Sequence, residues 1–321
     1  MRSAFATDLG RRRRHNEDAY VCEPPLYAIA DGMGGAQAGE IASGLAAAVL
    51  SEAGGDEQGE ERVAALIQEA NRRVFRRSSE DAAASGMGTT MTVALVDRAS
   101  GTIALGHVGD SRAYRVRGDE LEQLTDDHSL VGELVRGGKL SVEEAEAHPQ
   151  RSVITRAVGT EPEVDVDTFT VEVEPGDVYL LCSDGLTDMV ADNEILSVLG
   201  DADDLDRAAR ALVDAANAGG GEDNITVVLF AVDEDEPAGD TMTTPALGEP
   251  EDDEDTLSGL DSVPAVDTAV VPAEAVREHL ERTQPEEAAR PARRRRSLVP
   301  LTVLVFLLFA LILLAIWGLY R

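Results

Sequence analysis

This sequence predicts an α+β fold built on antiparallel sheets. Apolar runs follow one another through short turns rich in Gly and Asp. Helical segments come in pairs instead of alternating with strands, which argues against a doubly wound parallel sheet. Hydrophobic residues make up 43% of the chain and aromatic residues only 4%, so the core is built mainly from Ala, Val, Leu and Ile. A chain of 321 residues holds one large domain or two ordinary ones, and residues 1–233 read as one globular domain.

Taken in order, Met1 to Arg14 ends in a basic run with no apolar segment after it, so it is not a signal peptide. Tyr27 to Ala30 reads as a buried strand that delivers Asp31 to a turn, Gly32-Met33-Gly34-Gly35, whose glycines let the backbone come close to whatever the acid holds. Residues 39–50 carry Ile41, Leu45, Ala48 and Val49 at helical spacing. Residues 61–79 do the same with Val63, Leu66, Ile67, Ala70 and Val74. Gly86 to Thr90 opens a strand over 91–96. Residues 102–108 and 113–116 read as a strand pair around Gly109-Asp110-Ser111-Arg112, and 121–124 as a further short strand. Residues 164–173 alternate, 177–182 form a buried strand, and 205–216 form a helix with Leu205, Ala208, Ala209, Leu212, Val213 and Ala216 inward. A Val-rich strand, 225–232, closes the domain.

The formal net charge of −33 argues against a nucleic-acid partner, since phosphate backbones need a basic face. It favours cations and basic partners. Two widely spaced cysteines, Cys22 and Cys182, make neither a disulfide framework nor a zinc pattern, and read as reduced thiols. From residue 234 the chain becomes acidic and rich in Pro, Thr and Ser, the composition of a disordered linker. That linker runs to 297 and ends in the basic run Arg293 to Arg296. Residues 298–319 are uncharged and apolar, long enough at ~1.5 Å per residue to span a hydrocarbon core of ~30 Å. Trp317 and Tyr320 sit near the far end as interfacial aromatics do, and the arginines place their side in the cytoplasm. The expectation is a cytoplasmic domain on a single membrane anchor.

Acids recur at turns and element ends: Asn16-Glu17-Asp18, Asp31-Gly32, Ser183-Asp184-Gly185 and Glu222-Asp223-Asn224, with Asp110 as a fifth candidate. Gathered on one rim of a sheet, they would repel each other strongly. A pair of hard divalent ions, which take oxygen ligands, would neutralise them. The histidines His15, His107, His128, His148 and His279 are scattered, which favours Mg²⁺ or Mn²⁺ over Zn²⁺.

These segments, in this order, resemble the metal-dependent Ser/Thr protein phosphatases, the PPM or type 2C family. The matching stretches are Asp8-Leu9-Gly10 to Asn16-Glu17-Asp18, Asp31-Gly32-Met33-Gly34-Gly35, Gly88-Thr89-Thr90, Gly109-Asp110-Ser111-Arg112, Ser183-Asp184-Gly185 and Asp223-Asn224-Ile225-Thr226. The arrangement is most similar to bacterial, membrane-anchored members. The resemblance implies an α/β/β/α sandwich of two antiparallel sheets flanked by helices, with two Mn²⁺ or Mg²⁺ ions at one end. It implies that Asp31 bridges both ions, that the Gly32 carbonyl ligates one of them directly or through water, that Glu17 lies on one ion, and that Asp184 and Asp223 lie on the other. Asp18 would stand behind the ligands, and Asp110 with Asp184 would hold a weaker third ion. Arg13, five residues before Asp18, matches the phosphate-binding arginine, and its guanidinium fork suits phosphate oxygens. Arg11, Arg12 and Arg14 read as basic surface.

The resemblance further implies hydrolysis of phosphoserine and phosphothreonine by a hydroxide bridging the two ions. Many eukaryotic members carry a proton-donating histidine where this chain has Met33, which has no proton to give. His128 and His148 are weak substitutes. Residues 126–158, interrupted by Gly137-Gly138, correspond to a mobile flap beside the site. Expected partners are phosphoproteins, including membrane Ser/Thr kinases and their substrates. A catalytically silent phosphoprotein-binding module on the same fold is the alternative, and a nuclease is disfavoured by the acidic surface.

Overall fold

The strands run, in chain order, β1 (Arg2–Asp8), β2 (Asp18–Glu23), β3 (Leu26–Met33), β4 (Gly88–Thr89), β5 (Met91–Asp97), β6 (Thr102–Val108) and β7 (Arg112–Arg117). They continue with β8 (Glu120–Gln123), β9 (Val153–Ile154), β10 (Asp167–Glu172), β11 (Val178–Cys182), β12 (Ile225–Ala231) and β13 (Ala269–Val270). The helices are α1 (Ala38–Ser51), α2 (Glu60–Glu80), α3 (Leu130–Arg136), α4 (Val142–Glu146), α5 (Asp184–Thr187), α6 (Asp192–Gly200) and α7 (Leu205–Gly219). The computed structural model describes residues 1–34, 38–54, 58–200, 204–232 and 269–270. The expected membrane span at 298–319 and the linker outside Ala269–Val270 lie outside the described residues. Among the described residues no helix is long and apolar enough to cross a membrane.

Two antiparallel sheets carry the domain. One has the order β1-β12-β11-β7-β8, the other β10-β6-β5-β3-β2, with β4 paired to β3. Because successive strand residues point to opposite faces, each central strand feeds two apolar layers. Tyr27 and Ile29 of β3 join Tyr179, Leu181, Val228 and Phe230 between the sheets. Ala28 and Ala30 of the same strand face α1 and α2. On the other side Leu180, Val227 and Leu229 pack against Leu212, Ala216 and Ile195 of α7 and α6. The few aromatics concentrate in the middle layer, where Tyr27 stacks on Phe230 with centroids 4.1 Å apart. The result is the expected four-layer sandwich with helices on both outer faces.

Two local expectations are overturned. β6 and β7 do not pair. Both flanks of β6 are taken by β5 and β10, so the chain crosses at Gly109–Ser111 to the other sheet, where β7 pairs with β11 and β8. In α1 the buried face is Ala38, Gly39, Ala42, Ser43, Ala46, Val49 and Leu50, while Ile41 is 38% exposed. Small residues win because α1 lies directly on the Gly32 turn: a Cβ on Gly39 would fall 2.8 Å from Glu17 Cδ. Strands β1 and β2 and helices α5 and α6 lacked a clear signal in the sequence. Within the expected linker, β13 pairs in parallel with β9, Ala269 opposite Val153 and Val270 opposite Ile154.

Candidate active site

Five chain segments converge at one end of the sandwich, and each brings an acid. β3 carries Asp31, whose backbone is held by the β4–β5 junction: Asp31 N–H donates to Thr90 Oγ1 at 2.9 Å, and its carbonyl accepts from Thr90 N at 2.8 Å and from Thr89 Oγ1 at 2.8 Å. Asp18 opens β2 directly across from Asp31 and accepts from Ser183 Oγ at 2.9 Å. Glu17 precedes it. Its N–H donates to Asn224 Oδ1 at 2.8 Å, and its carbonyl accepts from Gly32 N at 3.0 Å. Gly32 admits no side chain there: a Cβ would lie 2.1 Å from Gly39 O and 2.5 Å from Glu17 O. Asp184 begins α5 immediately after β11, and Asp223 stands two residues before β12.

Burial and mutual repulsion outweigh the compensation this cluster receives from neighbouring arginines. Burial first, then Asp18, Asp184, Asp223 and Asp110, hold the Asp31 carboxyl well above its ordinary range. Asp184 is raised likewise, by burial and then by Asp110 and Asp223. Asp110 is pushed up to about 7, by burial and then by Asp127 and Asp188, and burial takes Asp18 to about 6. Oδ1 of Asp18, of Asp110 and of Asp184 is buried with no hydrogen-bond partner. A buried carboxylate oxygen without a partner is costly, so this donor set fits cations. Among the described residues no group of three His, Cys, Asp or Glu side chains is closed up to hold one ion. Carboxylate oxygens are the donors that hard ions such as Mg²⁺ take, together with several waters.

Arg13 brings a cation to the cluster. Its Nη2 lies 2.6 Å from Asp223 Oδ2, so the expected phosphate-binding side chain is at the site and in contact with an expected ligand. Met33 is buried against Ile154 and Ala157 at the base of the flap, a packing role. His148 is half-buried, and its Nδ1 accepts from Gln150 N within its own turn.

His128 is buried with its ring nitrogens engaged, Nδ1 accepting from Gly109 N at 3.0 Å and Nε2 facing Asp167 Oδ2 at 3.0 Å. It braces the turn that carries Asp110. The sequence reading missed Asp188, which is raised by burial and contributes to raising both Asp110 and Asp184. Its signal was present: Asp188 follows Asp184 by four residues, one helical turn.

The Protein phosphatase 2C family profile matches residues 11–224. A serine/threonine phosphatase of Listeria monocytogenes is 42% identical over 245 residues, covering 73% of this chain and 96% of its own length. The crystal structure of the Mycobacterium tuberculosis serine/threonine phosphatase PstP superposes with a TM-score of 0.69 at 38% identity, covering 73% of this chain and 99% of that one. A structure of the PstP catalytic domain in complex with two manganese ions is similar at a TM-score of 0.67 and 38% identity, covering 73% of this chain and 98% of that one.

Proposed function

The chain belongs to the protein phosphatase 2C family and is a serine/threonine protein phosphatase, and from that premise we propose that its buried carboxylate cluster hydrolyses phosphoserine and phosphothreonine with two Mn²⁺ or Mg²⁺ ions. The observation that carries the reading is the set of partnerless buried carboxylate oxygens on Asp18, Asp110 and Asp184 beside the guanidinium of Arg13.

When bound, the two ions supply an acidified water as nucleophile and offset charge on the phosphoryl oxygens. The residues of this chain do the rest. Asp31, whose backbone is fixed by its Thr89 and Thr90 contacts, would hold the ions. Glu17, the Gly32 carbonyl, Asp184 and Asp223 would complete the ligand set. Asp18 is oriented by Ser183 and backs Asp31, and Asp110 with Asp184 would hold a weaker third ion. Arg13 turns from Asp223 to the phosphoryl group, where its planar fork binds two oxygens at once. Met33 takes no part in proton transfer, since a thioether has no proton.

Residues 298–319 anchor the chain in the cell membrane, with Arg293 to Arg296 and the catalytic domain on the cytoplasmic side. Tethering raises the effective concentration of the site near other membrane proteins, which makes membrane Ser/Thr kinases and their phosphorylated targets the expected substrates. The deciding experiment follows phosphate release from a phosphothreonine peptide by the full chain with EDTA, Mg²⁺ or Mn²⁺, beside Asp184→Asn. Metal-dependent release lost in the variant is expected. Release that persists in EDTA would overturn the two-metal reading. Fractionation of cells, beside a chain ending at residue 297, tests the anchor: the full chain is expected with the membranes and the shortened one in the soluble fraction.

A further inference from the structure

The run Arg11 to Arg14 is seated rigidly at the mouth of the site. Gly10 has φ 78°, and a Cβ there would meet Asp223 O at 2.2 Å, so the loop is pressed onto the segment carrying Asp223. Arg11 N donates to Gly221 O at 2.7 Å. Asn224 Nδ2 donates to both Leu9 O and His15 O at 3.0 Å, tying the two ends of the run to the same short segment. Arg13 turns inward to Asp223, while Arg11, Arg12 and Arg14 are exposed.

Arg12 Nη2 makes one exposed pair, 3.1 Å from Glu222 Oε1, with Arg12 63% exposed. Among the described residues the side chains of Arg11 and Arg14 have no carboxylate partner. From the flap, Arg151 adds a further guanidinium, 3.5 Å from Asp188 Oδ2 and 3.7 Å from Glu222 Oε2. Two acids, Glu222 and Asp188, thus answer four exposed arginines at this rim.

We infer that this rim reads acidic residues flanking the phosphorylated Ser or Thr, so that the preferred substrates are acidic phosphopeptides. The inference rests on the phosphatase reading and narrows its substrate class. It runs against the charge of the whole chain, −33, which favours basic partners. Screening decides between the two. Charges beyond a Debye length of ~8 Å at physiological salt are largely damped, so a bound peptide senses the rim first. The exposed Arg12–Glu222 pair is too weak to keep a peptide carboxylate away. Guanidinium forks suit carboxylates as they suit phosphate, and the backbone under them is already ordered, which lowers the cost of binding.

The test uses the full chain in zwitterionic detergent with Mn²⁺ and three phosphothreonine peptides, flanked by Glu, by Ala or by Lys. At low salt the Glu peptide is expected to exceed the Lys peptide about tenfold in kcat/KM, the combined effect of several weak exposed pairs. The difference should sit mainly in KM and shrink to about twofold at ~0.5 M salt. R11E/R14E is expected to abolish or invert the preference, and R11Q/R14Q to halve its logarithm. Equal kcat/KM for the three peptides at low salt, or a ratio unmoved by R11E/R14E, would overturn the inference. Failure to release phosphate even from the Ala peptide would instead count against the phosphatase reading. Fluorescence anisotropy with the same labelled peptides then still decides the rim: Glu-flanked peptide binding no tighter than Lys-flanked peptide overturns it.

Discussion

Two clusters of titratable side chains are buried in this domain, and they are built on opposite terms. The imidazoles of His107 and His128 lie with centroids 4.8 Å apart and are 1% and 3% exposed. Each of their ring nitrogens has a partner: Thr92 Oγ1 and the Asp126 carbonyl for His107, Gly109 N–H and Asp167 for His128. Burial and the neighbouring His128 push His107 down to about 3. Burial, then Arg156, takes His128 down to about 4. Both are neutral rings serving as struts, and His128 N–H also donates to Gly109 O at 2.7 Å, gripping that residue from both sides. The carboxylates a few ångströms along the chain have the reverse character. Apart from Asp110 they are half-buried, they repel one another, and Oδ1 of three of them is left buried without a partner. Saturated buried polar groups mark architecture, whereas unsaturated ones mark a place for a ligand.

The largest effect separating the clusters is catalytic. Asp31→Asn should lower turnover of a phosphothreonine peptide by about a thousandfold or more. In EDTA the same substitution should raise thermal stability by ~1–3 kcal/mol, because it removes a repelled buried charge. Calorimetry with and without Mn²⁺ reads both halves, and an active Asp31→Asn protein would break the comparison.

His128→Ala should instead cost ~2–4 kcal/mol of stability whether or not metal is present. A loss confined to the Mn²⁺-loaded protein would assign His128 to the metal site rather than to the frame.

The pH dependence of stability has opposite sign in the two clusters. Asp18 and Asp110 have raised folded-state values, so their contribution is present below the ordinary carboxylate range and is lost as pH rises through about 6 and about 7. The histidines have lowered values. Their contribution is present above about 6.5 and is lost as pH falls toward about 4 and about 3. Denaturant melts in EDTA should therefore show stability falling between pH 6 and 8, and saturating Mn²⁺ should cancel that fall. At about 100 times its dissociation constant the metal adds ~2.7 kcal/mol. A metal-free protein equally stable at pH 6 and pH 8 would contradict the carboxylate half.

The smallest expected effect is at Ile41. Its exposure makes Ile41→Ser worth no more than ~0.5 kcal/mol, whereas Ala46→Leu on the buried face of α1 should cost ~1–3 kcal/mol by overpacking. Equal effects would mean that the helix packs on the face its larger residues suggest.

Local chemistry was legible from the residues alone. A short apolar run ending in Asp31-Gly32 announced a strand delivering an acid to a tight turn. The spacing of Val63, Leu66, Ile67, Ala70 and Val74 announced a helix, and all five are buried. The same holds for the inward residues of α7. Period and turn composition are properties of neighbours along the chain, so they survive without a structure. The acids too were legible as candidates, because Asp and Glu beside glycines at strand ends recur in order.

Partnerships between distant segments were not legible. The segments around Gly109–Arg112 look like a hairpin, yet they belong to different sheets, because the flanks of β6 are claimed by strands elsewhere in the chain. Alanine and glycine took the inner face of α1 from Ile41 because the Gly32 turn leaves no room for a larger residue. The run Arg11 to Arg14 shows its charge in the sequence, but its seat on the Asp223 segment depends on contacts between residues more than two hundred positions apart. Residue order thus determined which groups are present and how each short element repeats. Which of them meet, and which buried oxygens are left without a partner, was decided by competition for strand edges and space that exists only once the whole chain is packed.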